Sequence, residues 1–213
     1  MTVAVDWVAV SSITTAGATL VLAVATFASV RSANRSARVA ERSLLAGLRP
    51  LLVQSRPDDP PQKVGFQDDK WFRIEGGHGA AEVGDGAVYL AIALRNVGSA
   101  IAVLHGWALV EEGTMGAPDH PPVEHFRRLT RDLYIGPGEA GFWQGAFRDS
   151  AEPGFADARR AIEERERLII DVLYGDHELG QRSITRFSLI PRDNGAWFAT
   201  VGRHWNVDRP DPR

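Results

Sequence analysis

Hydrophobic positions divide the chain into two regimes. From Trp7 to Val30 the run WVAVSSITTAGATLVLAVATFASV holds no charged residue, no proline and one glycine. Its apolar and small residues fall all round a helix drawn through it, the pattern of a helix that hydrocarbon surrounds. At 1.5 Å per residue such a helix is about 36 Å long, enough to cross a core of about 30 Å with some tilt. Leu20, Val21, Leu22, Val24, Phe27 and the other large aliphatics of the run together favour insertion by roughly 3–5 kcal/mol. Serine and threonine oppose insertion, although helix hydroxyls bond back to backbone carbonyls. Helical spacing then continues through Arg31, Arg35, Arg38 and Arg42, at steps of four, three and four on one face. Arg49-Pro50 ends it, because the residue before proline is biased out of the α region. The pattern predicts a short N-terminal tail over 1–6, a transmembrane helix over 7–30 and an Arg-rich juxtamembrane helix over 31–49. A buried helix of a soluble protein and a cleaved signal peptide share the hydrophobicity. The first ill fits apolar residues on every side, and the second starts with positive charge where this chain has Asp6.

After Pro50 the period falls to two. Leu51 to Gln54 reads as a first strand, SRPDDPPQK as a loop, and Trp71 to Ile74 as an edge strand before the glycine-rich loop GGHGAAEVGDG. The clearest strand pair is AVYLAIALRNVGSAIAVLHGWALVE, where Asn96 to Ser99 suit a tight reversal. Alternation puts Val88, Leu90, Ile92 and Leu94 on the interior face of its first strand. A second turn, Ile135 to Glu139, leads into AGFWQGAFRD. Pro153 to Arg167 is helical, with Phe155, Ala158, Ala161 and Ile162 on one face. LIIDVLYGD and QRSITRFSLI follow as strands joined near His177 to Gly180, and GAWFATVGRHWNV closes the set. The expectation is a mainly β fold: a β-sandwich domain over 50–207 with one helical insertion, then a frayed polar tail over 208–213.

Two local runs carry a resemblance. Leu94 to Ala102, with Asn96 and Gly98 inside it, and the later Pro137-Gly138-Glu139 before an aromatic strand resemble bacterial immunoglobulin-like β-sandwich domains. RDLYIGPGEAGFWQGAFRD and the terminal RHWNVDRPDPR look like a group of uncharacterised, single-pass membrane-anchored proteins of high-GC bacteria. The first resemblance implies a fold and the second an anchor; neither implies an activity.

Charge adds an orientation. The net charge of −3 is uneven: residues 31–49 carry five arginines against Glu41, a local +4, and the chain beyond them sums to −6. Positive residues beside a membrane segment stay in the cytoplasm, so the expected topology in the cell membrane is N-terminus outside and C-terminal domain inside. The arginine face either grips anionic lipid headgroups, at about 1 kcal/mol per arginine, or is simply solvated. Ser11, Thr15, Thr19 and Ala23 recur every four residues as a small-residue stripe of the kind at which two helices approach closely, a route to a homo-oligomer. An acidic body argues against nucleic acid as a partner.

No sequence pattern supplies chemistry. With no cysteine there is no disulfide and no thiolate site. His78, His105, His120, His125, His177 and His204 fall in no metal-binding frame, and Asp176-His177-Glu178 reads as a turn. GGHGAAEVGDG lacks the helix that a dinucleotide loop requires. Trp107, Trp143, Trp197 and Trp205 read as core residues. No catalytic, cofactor or metal residue is therefore assigned. The expected role is a membrane-anchored accessory or scaffold module binding another membrane or membrane-associated protein. A tethered ligand-sensing module is the alternative, followed by a hydrolase with an unrecognised site.

Overall fold

The computed structural model describes residues 7–110, 119–178 and 180–208. The expected tail over 1–6, the strand end at Glu111, Leu179 of the expected turn and tail residues 209–213 lie outside this set. Two compact units divide the chain after Gly47.

The first unit is α1, Trp7–Gly47, a single helix through both expected helical segments. It stops just before Arg49-Pro50, as the sequence requires.

The second unit is mainly β. Its strands are β1 Leu52–Gln54, β2 Gln62–Gly65, β3 Trp71–Ile74, β4 His78–Gly84, β5 Ala87–Asn96 and β6 Ala102–Val110. After these come β7 Arg127–Ile135, β8 Ala140–Phe147, helix α2 Phe155–Glu163, β9 Leu168–Gly175, β10 Ser183–Pro191 and β11 Trp197–Asn206. Nine strands form one curled antiparallel sheet. Its order runs β7-β6-β9-β10-β11-β4-β5-β8, with β1 beside the end of β5. The remaining two, β2 and β3, pair as a separate hairpin. This order does not by itself establish an immunoglobulin-like sandwich.

The curl wraps one apolar core. Val88, Leu90, Ile92 and Leu94 point into it as alternation predicts, together with Trp107, Trp143, Ile170 and Phe187. The opposite face of β5 is buried too, because Tyr89, Ala91 and Ala93 pack beneath the β2–β3 hairpin with Val64, Phe66 and Ile74. Helix α2 adds Phe155, Ala158 and Ala161 to the main core and packs against β4, β5 and β9.

Three expectations are corrected. The glycine-rich segment is no loop: His78–Gly84 is a strand, paired with Ala87–Ile92. Gly79 is required there for close approach, since a Cβ would lie 2.6 Å from the Ala91 carbonyl oxygen and also strike Leu189. Nor do β5 and β6 form a hairpin, for β5 pairs with β1, β4 and β8, and β6 with β7 and β9. Asn96 is a clasp between elements. Its Oδ1 accepts from the Leu51 and Gly98 amides at 3.2 and 3.0 Å, and its Nδ2 donates to the Ala100 and Ile135 carbonyls at 2.7 and 3.0 Å. Finally, Asp208 is not frayed: its carboxylate accepts the backbone N–H and the guanidinium of Arg182.

Candidate functional site

Helix α1 presents apolar side chains in all directions. Leu20, Val21, Leu22, Val24 and Phe27 are 62–71% exposed, and the helix is long and apolar enough to cross a membrane over Thr15–Glu41. Three of its hydroxyls are satisfied within the helix. Thr15, Thr19 and Thr26 donate to the carbonyls of Ser11, Thr15 and Leu22, each at 2.8 Å. Ser11, Thr15, Thr19 and Ala23 line one shallow groove along the helix. Arg31, Arg35 and Arg38 are exposed on a common helical face with position 42, whose side chain is outside the described set.

The histidines do not converge. His78 Nδ1 lies 2.8 Å from the Gly76 carbonyl, the His120 ring stands edge-on to Trp205, and His125 sits in a short 3-10 turn. His105 occupies the bulge of β6, where burial depresses its pKa. His177 is exposed in a turn that Asp176 organises by accepting the Gly180 amide at 2.8 Å. Among the described residues no group of three or more His, Cys, Asp or Glu is placed to hold a metal ion. Trp107, Trp143, Trp197 and Trp205 are all buried.

Two polar clusters tie the β unit internally. Tyr174 Oη receives the Leu52 amide at 3.1 Å and lies 2.9 Å from Thr185 Oγ1 and 3.3 Å from His204 Nδ1. Burial pushes its phenol up to about 12, so it stays protonated. On the outer face of the sheet, Asp171 and Arg186 form a bidentate ion pair closed to solvent.

Polar and charged side chains also gather at the seam between β7 and β8. Among the described residues each of these strands is paired on one side only: β7 with β6, and β8 with β5. Between the Leu104–Leu133 and Gly106–Arg128 partners the register shifts, setting Leu129–Asp132 against the single residue His105. Such a bulge frees backbone groups and turns side chains away from the sheet. Here it opens a cleft of about 170 Å³ lined by Trp107, Arg127, Arg128, Arg131, Arg148 and Glu152, among others. A second cleft of about 300 Å³ adjoins it along Phe66, Thr130, Arg131 and Gln144 and adds Lys63 and Trp71.

Side chains bridge this seam. Arg127 stacks over the rings of Trp107 and Phe147 at 5.3 and 4.6 Å while bonding Glu152. Arg131 donates to Gln144 Oε1 at 2.8 Å and to the Gly65 carbonyl at 3.3 Å, and Arg148 bonds Asp68 at 2.8 Å. Apart from Trp107, read as a core residue, none of these side chains stands out in the sequence pattern. The available signal was a knot of arginines, at 127, 128, 131 and 148, in a region whose net charge is negative.

Comparison with family models, curated proteins and solved structures yields no match. The class defined is structural: a mainly β domain carried behind one long apolar helix.

Proposed function

We propose that this chain is a single-pass protein of the cell membrane whose β unit serves as an accessory or scaffold module. In this reading α1 spans the bilayer, and the β unit binds another membrane or membrane-associated protein at the cytoplasmic face. The observation that carries it is an apolar helix exposed on all sides, joined to a separate unit that has its own core. Apolar surface of that extent is unfavourable in water at roughly 25 cal/mol per Å², and hydrocarbon removes the cost. The arginines after the apolar run favour a cytoplasmic β unit. Strand edges paired on one side, as in β7 and β8, support a binding role, because such edges accept a strand from another chain.

The test is photo-crosslinking in native membranes with the full-length chain. A photoreactive residue replaces Thr130 on β7 or Asp193 in the β10–β11 turn, one at a time. Protein adducts from at least one position are expected, together with resistance of the chain to extraction by alkaline carbonate. Extraction into the soluble fraction would sink the anchor, and absence of adducts at both positions would sink the binding role.

A further inference from the structure

We infer that the β7–β8 seam is the binding groove of the β unit and that its occupant is an extended acidic segment of a partner protein, seated as an added strand. The inference rests on the protein-binding reading above and gives that reading a place and a chemistry.

Charge selects the sign of the occupant. The two adjoining clefts are lined by Lys63, Arg127, Arg128, Arg131 and Arg148 and by one carboxylate, Glu152. Glu152 is committed to Arg127, and Asp68 to Arg148. Lys63 and Arg128 have no acidic partner among the described residues, and Arg131 bonds two neutral oxygens. Three cations thus keep their full charge in one groove of a region whose formal charge beyond Arg49 is −6. A positive groove on an otherwise acidic surface draws anionic ligands and repels other copies of the same surface.

Backbone and shape select an extended chain. The register shift frees Leu129–Asp132 from the β6 ladder, on a strand whose other edge faces the seam. An incoming strand would pair with the seam-facing edge of β7, and its alternate side chains would fall to opposite sides of the groove. Leu129, Leu133 and Trp107 supply an apolar floor on one side. Trp71, 66% exposed, lines the second cleft. A phosphate or lipid headgroup would call for a compact knot of donors. Here the cations come from three parts of the fold, Lys63 from β2, Arg128 and Arg131 from β7 and Arg148 from just after β8, and they share the two clefts with Phe66, Trp71 and Trp107, which matches a peptide of alternating acidic and apolar residues.

The experiment uses the full-length chain in uncharged detergent micelles and a fluorescein-labelled peptide of alternating glutamate and valine, followed by fluorescence anisotropy. Saturable binding is expected, weakening as salt is raised, with no binding of the lysine–valine counterpart. Arg128 and Arg131 are both exposed, so the double variant Arg128→Gln/Arg131→Gln should keep its tryptophan emission while binding about tenfold more weakly. Arg159→Gln on α2 should bind as the native chain does. Absence of saturable binding, or equal loss in Arg159→Gln, would overturn the proposal. Displacement of the peptide by phosphatidylglycerol at matched charge would assign the groove to a membrane surface instead. Crosslinks from Asp193 but none from Thr130 would remove the groove while leaving the protein-binding role. Peptide binding without any crosslinked partner would do the reverse.

Discussion

Asp171 and Arg186 stand on neighbouring strands with exposures of 0% and 1%, where neither charge is hydrated. The guanidinium meets the carboxylate through Nε–Oδ1 and Nη2–Oδ2, both at 2.7 Å, and lies 4.8 Å from the ring of Trp205. Stripping water from two ions costs several kcal/mol each, and fork-to-fork geometry with aromatic cover offsets it. Removing one partner leaves the other buried and unpaired. Asp171→Asn should therefore lower stability by about 3–5 kcal/mol, read as a shift in the denaturant midpoint of tryptophan emission. The apolar double replacement Asp171→Leu/Arg186→Met should recover most of that loss. A midpoint unchanged in Asp171→Asn would show that the pair contributes nothing. In the sequence, Asp171 is a polar interruption of LIIDVLYG, but its partner fifteen positions on becomes visible only once β9 and β10 are in register.

Among the elements, those whose periodicity is clean were legible. In α2 the buried positions Phe155, Ala158 and Ala161 repeat at helical spacing, and β9 to β11 are apolar runs between turn residues. Three failures have separate causes. The glycines of β4 look like mobility in sequence, yet Gly79 is there so that the backbone can sit against Ala91 and Leu189. Asn96 and Gly98 look like a tight reversal, yet their bonds reach Leu51 and Ile135, contacts invisible to local pattern. Strand β7, RRLTRDLYI, escapes the periodicity because four of its nine residues are charged, and three of these, Arg127, Arg128 and Arg131, line the seam. Glu152 organises the segment after β8. Burial pushes its carboxyl up, but bonds from the Asp149 and Arg148 amides and from Arg127 outweigh this and hold it below its ordinary 4.5. A depressed folded value adds stability above the unfolded glutamate range, and that increment is lost as pH falls through the folded value. Glu152→Gln should lower the denaturant midpoint at neutral pH and flatten its decline in acid. Parallel acid profiles for the two proteins would mean that this carboxylate is not linked to folding.

At the scale of the whole molecule, the distribution of charge along the chain is the basis of the proposed topology. Five arginines lie between position 31 and Arg49 against one glutamate, directly after the apolar run. Lysine and arginine within about 15–20 residues of a membrane segment dominate its orientation, because translocating them is unfavourable. The proposed topology puts the seam and its proposed acidic partner on the cytoplasmic side. The chain has no cysteine, so single substitutions provide unique labels without background. Ser43 on α1 and Asp193 in the β10–β11 turn are both exposed, so a thiol at either is accessible to reagent wherever the surrounding compartment is. Ser43→Cys and Asp193→Cys should resist an impermeant maleimide in intact cells and react once the cells are lysed. Thr2→Cys should react in intact cells, since the proposed topology puts position 2 on the other side of the span. Reaction of Asp193→Cys from outside would reverse the topology, place the groove among extracellular partners, and show that the arginine face does not set the orientation of this helix.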